Sequence, residues 1–174
     1  MIIFVSGGVR SGKSYFAEQK AMELASDSKE LHYIATSIVY DEEMKKRIRK
    51  HQEDRTKSGL QWNTVECSAN IGEIASRFSK KDVVLIDCLT TLLANEMFSE
   101  QNEDEQSILL ALQKIANNSF AVIIVSNEIF SSGTMYEWET LNYMRKLGRL
   151  HVEIAAVAKE VYLVENGIPR KKKG

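Results

Sequence analysis

Met1–Ser14 reads MIIFVSGGVRSGKS, and the fold of the chain follows from how the two halves of that stretch join. Ile2–Ser6 is a short, β-branched apolar run suited to a strand. It leads directly into Gly7-Gly8-Val9-Arg10-Ser11-Gly12-Lys13-Ser14, which matches G-x-x-x-x-G-K-[ST] at every fixed position. Gly7 and Gly12 permit backbone angles that turn successive N–H groups into one concavity, where phosphate oxygens bind. Lys13 adds a point charge for the β- and γ-phosphates, the Ser14 hydroxyl is a ligand for Mg²⁺, and the helix that follows directs its positive end at the nucleotide. Phe16, Ala17, Ala21, Leu24 and Ala25 recur at helical spacing. Strand, loop and helix thus come in the order phosphate binding requires, which favours that reading over a plain strand-to-helix turn.

The chain has 174 residues, 44% hydrophobic and 27% charged, so it reads as one soluble globular domain over 1–174 with a core that needs no disulfides. A net charge of -1 gives no argument for nucleic acid or an anionic membrane as partner. No apolar run is long enough to span a bilayer, and the first strand is too short and unflanked to be a signal peptide, so the expected location is cytoplasmic. Cys67 and Cys88 make no C-x-x-C and each ends an apolar run, which reads as core packing. His32, His51 and His151 are scattered, and nothing has the ligand spacing of a zinc site.

Further along, Leu31–Thr36 reads as a second strand, the charged segment Asp41–Arg55 as a helix, and Trp62–Cys67 as a short strand. Val83–Asp87 (VVLID) and Phe120–Ser126 (FAVIIVS) are continuous apolar runs, as in strands buried on both faces. Asp104–Ala116 is helical in period, and Tyr136–Lys159 makes a long helix with Leu141, Met144, Leu147, Leu150 and Ile154 on one side. Val161–Val164 is the last strand expected, and Arg170-Lys171-Lys172-Lys173 reads as a solvated, frayed tail. Strands alternating with helices behind a P-loop imply an α/β layered fold, P-loop NTPase-like (RecA-like), with a largely parallel central sheet.

Ligands of such sheets bind outside the carboxyl ends of the strands, so the polar groups there are the site candidates. Asp87 ends VVLI in the place of a Walker-B carboxylate, which holds Mg²⁺ directly or through water; its plain alternative is a strand-end cap. Thr36 and Ser37 end the second strand, and Asn127 and Glu128 end FAVIIVS, where loop chemistry would use the same pair. Asp41–Arg55 (DEEMKKRIRKHQEDR) taken alone is a solvated helix with acids early and bases late.

The order of these elements resembles the bifunctional adenosylcobinamide kinase/adenosylcobinamide-phosphate guanylyltransferases of cobalamin biosynthesis over nearly the whole chain. The resemblance rests on the P-loop, Tyr33-Ile34-Ala35-Thr36-Ser37, Asp41-Glu42-Glu43-Met44, Arg47-Ile48, His51 and Arg55. It continues through Trp62, Glu66-Cys67, Asp87-Cys88-Leu89-Thr90-Thr91, Asn127-Glu128, Gly148-Arg149 and Gly167-Ile168-Pro169. The P-loop is generic; A-T-S together with R-I-x-x-H-x-x-x-R is specific. By this resemblance His51 matches the family's guanylylated histidine, and neutral imidazole, with an unperturbed pKa of about 6.5, is a competent nucleophile. Arg55, one turn on, would stabilise phosphate charge, and Glu66 and Asp87 match positions that contact the guanine nucleotide or its metal.

The resemblance implies GTP and ATP as substrates, Mg²⁺ as cofactor, a corrinoid acceptor and a homotrimer. Departures lie toward the C-terminus: Ile129-Phe130-Ser131-Ser132-Gly133 lacks the family's proline, Arg145 replaces an acidic residue, and His151 replaces an asparagine. They bear on the acceptor site or subunit contacts and leave the nucleotide half intact. Two other readings fit the residues: a P-loop kinase of another hydroxylated metabolite, which leaves His51 idle, and a nucleotide-dependent binding module.

Overall fold

Apolar runs and turn residues sort the chain into a single seven-stranded sheet in the computed structural model, which describes residues 1–25, 29–38, 61–98, 105–130 and 136–174. The strands are β1 (Ile2–Gly7), β2 (Glu30–Ala35), β3 (Trp62–Glu66), β4 (Asp82–Asp87), β5 (Ala121–Asn127), β6 (Glu160–Glu165) and β7 (Ile168–Lys173). The described helices are α1 (Lys13–Leu24), α2 (Leu89–Met97), α3 (Glu105–Asn118) and α4 (Trp138–Val157), with a 3₁₀ segment at Ile71–Arg77. The strand order is β3-β2-β4-β5-β1-β6-β7; all neighbours are parallel except β7, which pairs antiparallel with β6.

The uniformly apolar strands take the centre. Val83–Ile86 and Ala121–Val125 are fully buried, whereas edge strand β3 is half-buried or exposed throughout. Alternate residues divide the core into two layers. Phe4, Ile34, Val84, Ile86, Val122 and Ile124 meet α2, α3, α4 and the 3₁₀ segment. Ile3, Val5, Tyr33, Leu85, Ile123 and Val125 face the other side, where α1 docks through Ala17 and Ala21. Each large side chain so buried contributes about 1.5–3 kcal/mol. The two small alanines bring α1 close to the sheet, and Phe16, Met22 and Leu24 pack partly buried around them.

The structure corrects several expectations. The basic C-terminus is not frayed: Arg170–Lys173 belong to β7, joined to β6 by a turn in which Asn166 and Gly167 have φ of 51° and 78°. Positive φ at both central residues is the hairpin geometry that Asn-Gly favours. The lysines are those of a charged edge strand, which discourages further pairing. Lys173 Nζ also donates to the carbonyls of Ala155 and Ala156, at the C-terminal end of α4. The apolar stripe of α4 is shorter than its spacing suggests: Leu147, Leu150 and Ile154 are buried, Leu141 is exposed. Cys88 is buried as expected, but Cys67 only half so. No helix among the described residues is long and apolar enough to cross a membrane. The expected helix Asp41–Arg55, with His51 and Arg55, lies outside the described residues.

Candidate active site

Gly7 ends β1 where backbone and side chains close in: a Cβ there would lie 2.4 Å from the Val164 carbonyl oxygen and 2.6 Å from Ser11 Oγ. Only glycine fits such a position. Gly8 O then accepts from Ser11 N at 3.2 Å and from Lys13 Nζ at 3.1 Å, so the loop curls over its own lysine. Arg10 and Gly12 take positive φ, 61° and 88°, and α1 begins at Lys13 with Gly12 as its cap. Val9 and Arg10 are exposed at the lip, whereas Ser11 and Lys13 are buried. Burial lowers the pKa of the Lys13 ammonium, while Asp87 pulls it the other way. A buried ammonium beside a carboxylate, inside a cradle of backbone donors, is poised for a polyanion.

Asp87 stands at the carboxyl end of β4, two strands from Gly7, and Tyr33 Oη donates to its Oδ2 at 3.0 Å. The parallel register places Ala35 beside both Asp87 and Glu66, so the ends of β2, β3 and β4 share one edge. Glu66 is exposed there and Ser37 half-buried. Thr36, expected at the nucleotide, turns its hydroxyl to the backbone of the neighbouring strand's end. It has no exposed surface, its Oγ1 donates to Cys88 O at 2.9 Å, and it accepts from Cys88 N at 2.8 Å. It braces β2 against the residue that follows Asp87.

Further groups brace this edge. Asn95 of α2 donates through Nδ2 to Thr36 O and Ser68 O, at 2.8 and 2.9 Å, tying together the segments that follow β2 and β3. Gly167, at the β6–β7 turn, donates its N–H to Ser11 O at 2.8 Å, and its Cα lies 3.2 Å from where a Gly12 Cβ would be. The P-loop thus rests on a hairpin from the far end of the chain, and the paired Gly12 and Gly167 let the two backbones touch. Thr90 Oγ1 accepts from Asn127 N at 2.8 Å and lies 3.2 Å from Ser126 Oγ, which is 2.7 Å from His151 Nε2. Burial between the rings of Phe4 and Phe130 lowers the His151 pKa to about 4, against an opposing pull from Glu128. Glu128 N donates to Gly7 O at 2.9 Å, which seats the end of β5 against the start of the P-loop.

A cleft of about 440 Å³ between the 3₁₀ segment and α3, lined by Ile71, Gly72, Ile108 and Ala111, lies apart from these residues. It offers no phosphate donors comparable to the loop, so chemistry rather than volume locates the site.

The family model for cobinamide kinase/cobinamide phosphate guanyltransferase, CobU, matches residues 3–172. The chain belongs to this family. Relatives include the bifunctional adenosylcobalamin biosynthesis protein CobU of Escherichia coli, 35% identical over 97% of both chains. The protein of the same name from Salmonella typhimurium is 33% identical, again over 97% of both, and CobP of Pseudomonas aeruginosa is 30% identical over 98% of this chain and 96% of its own. Solved structures with the same fold include the flagellar accessory protein FlaH of Methanocaldococcus jannaschii, with TM-score 0.55, 14% identity, and coverage of 99% of this chain and 77% of that one. A KaiC-like protein of Pyrococcus horikoshii gives TM-score 0.53 at 13% identity, covering 93% and 69%. The P-loop, RecA-like architecture expected from the first fourteen residues is therefore the observed one.

Within the CobU family frame, the P-loop, Ser37, Glu66 and Asp87 gather along the carboxyl edge of the sheet. His151 lies under the carboxyl end of β5 with Phe130 against its ring, and Arg145 stacks its guanidinium over the Trp138 ring at 5.4 Å, on the first half of α4.

Proposed function

We propose that this CobU-family protein phosphorylates adenosylcobinamide with ATP or GTP and then transfers GMP from GTP, through a guanylylated His51, to give adenosylcobinamide-GDP. The observation that carries the reading is the P-loop cradle, with buried Lys13 paired electrostatically to Asp87 at the carboxyl edge, in a chain of this family.

In the first reaction the aminopropanol hydroxyl oxygen attacks the γ-phosphorus, the bond to the β–γ bridging oxygen breaks, and the hydroxyl proton leaves to solvent. Positioning and charge stabilisation carry such a transfer, so the backbone donors of Gly8–Ser14 and the Lys13 ammonium do most of the work. Ser14 and Asp87 offer the hard oxygen donors that Mg²⁺ takes, and Tyr33 orients the Asp87 carboxylate. Bound there, Mg²⁺ would neutralise charge on the β- and γ-phosphates.

In the second reaction an imidazole nitrogen of His51 attacks the α-phosphorus of GTP, pyrophosphate leaves, and a GMP–histidine phosphoramidate forms. A phosphate oxygen of the corrinoid product then attacks the same phosphorus and expels the imidazole. Arg55 stabilises the phosphate charge, and Val9, Arg10, Ser37 and Glu66 complete the nucleotide contacts. The protein works as one domain over 1–174, in the cytoplasm, as a homotrimer; sedimentation of a fully active monomer would remove the last of these.

The test is labelling with α-labelled GTP. Wild-type protein retains an acid-labile, alkali-stable label after denaturation, as an N–P bond requires, and His51→Ala loses both label and guanylyl transfer while the kinase reaction survives. Labelling that persists in His51→Ala removes His51 from the mechanism.

A further inference from the structure

The amino-terminal edge of the sheet, opposite the P-loop, gathers three potential ligands that the linear sequence keeps apart. Glu30 and His32 are two residues apart on β2, so their side chains share a face. Asp82 lies beside Glu30 in the β2–β4 register. His32 Nε2 is 3.5 Å from Asp82 Oδ1 and 3.8 Å from Glu30 Oε2, and the ligand atoms of all three lie within 4.8 Å of one another. We propose that Glu30, His32 and Asp82 bind a divalent transition-metal cation, of which zinc suits the donors best.

Two further observations support this. His32 Nε2 is buried and makes no hydrogen bond, although it points at two carboxylates. The ring is held there by Phe78, packed edge-on at 5.3 Å. Asp82 is only 5% exposed, and its Oδ2 accepts from Ser79 N at 2.6 Å, which fixes the carboxylate with Oδ1 toward the imidazole. Donors in a tetrahedral zinc shell lie roughly 3.3 Å apart. The His32–Asp82 pair is already near that spacing, and the exposed Glu30 side chain needs only a rotamer adjustment to follow. Two carboxylates and a neutral imidazole give a donor charge of -2, matched to a dication.

Two neighbouring lysines are engaged away from the cluster. Lys29 Nζ lies over the Phe120 ring at 4.3 Å, and Lys80 Nζ is held by the carbonyls of Asn117 and Ser119. A cleft of about 410 Å³, lined by Lys29, Glu30, Gln61 and Asn63 among others, opens beside Glu30, the exposed member of the cluster. At about 3.3 Å per residue along β4, the cluster is roughly 16 Å from Asp87, so it is separate from the nucleotide site.

The experiment is a Zn²⁺ titration of the chelator-stripped full chain against a chromophoric competitor, repeated with Co²⁺ for its visible spectrum. The expected result is one equivalent bound at micromolar or tighter affinity, with a cobalt spectrum free of thiolate charge transfer. His32→Ala and Glu30→Gln should each weaken binding tenfold or more, while Asp87→Asn and Cys67→Ser leave it unchanged. Glu30 is exposed, so its variant keeps the fold even if His32→Ala does not. Absence of binding to folded wild type, which would leave a histidine–carboxylate ion pair only, overturns the proposal. So does affinity that is unaltered in Glu30→Gln, or that is lost with Asp87 or Cys67.

Discussion

Strand β4 carries an aspartate at each end, and the two have different surroundings. Asp87, at the carboxyl end, has Tyr33 as donor, the buried Lys13 ammonium as electrostatic partner, and the P-loop two strands away. Asp82, at the amino end, has Ser79 N as donor and the imidazole of His32 facing it. One end meets a cation supplied by the protein, the other an imidazole and a second carboxylate. The difference teaches that a strand-end carboxylate acquires its role from what the adjacent strands bring beside it. In a parallel sheet every carboxyl end lies on one edge and every amino end on the other, so the two roles cannot mix.

The strongest way to break this comparison is at the nucleotide edge. Lys13→Ala should lower phosphoryl transfer on the order of a hundredfold or more, the scale of losing one transition-state stabiliser, while circular dichroism and thermal unfolding stay close to wild type. Near-normal turnover would mean that the loop is only a turn. Next come the two aspartates. Asp87→Asn should reduce kinase turnover about tenfold or more and raise the Mg²⁺ concentration required. Asp82→Asn should leave the kinetics within about twofold and cost about 1–2 kcal/mol of stability, through a weakened bond to Ser79 N. Equal kinetic losses in both would erase the distinction between the edges.

The legible part of this molecule is the part written locally. G-x-x-x-x-G-K-S between a β-branched run and a helix, and VVLI ending in Asp87, each contain their own context, so the P-loop, the central strands and the nucleotide edge could be read from short windows. The Glu30–His32–Asp82 cluster could not, because its members meet only through the register of β2 and β4, which sequence spacing does not contain. The place of Thr36 at a strand end is legible, but the bracing of its hydroxyl by the Cys88 backbone across the sheet is not. The last strand was hidden by its charge: four basic residues resemble a tail, and the Asn166-Gly167 turn was the signal that would have found it.

That turn gives a moderate prediction. Gly167 sits at φ 78°, where alanine is disfavoured by roughly 1 kcal/mol, and its N–H holds Ser11 O. Gly167→Ala should therefore raise the KM for nucleotide severalfold with little change in kcat, since the loop is displaced but Lys13 is retained. A variant with lowered stability and unchanged KM would show that the hairpin supports the sheet and not the loop.

The smallest effect concerns pH, and it isolates one buried group beneath the carboxyl edge. His151 is buried against Phe4 and Phe130, with its pKa lowered to about 4 from an ordinary 6.5. Between those values the unfolded chain takes up the proton and the folded chain does not, so stability rises with pH across that window. Above about pH 6.5 the residue is neutral in both states and contributes no pH dependence. As pH falls from 6.5 toward 4, protonation favours the unfolded state, and the Ser126–His151 contact is lost with the fold. Replacing the residue with asparagine removes that titration while keeping a polar group near Ser126 Oγ. His151→Asn should consequently flatten the decline of the urea midpoint between pH 6.5 and 4.5, with little difference from wild type at pH 7.5. An unchanged slope in the variant would assign the acid sensitivity to carboxylates such as Glu105 and Glu160, whose pKa values are lowered in the folded protein and whose stabilisation is lost as pH falls through those values.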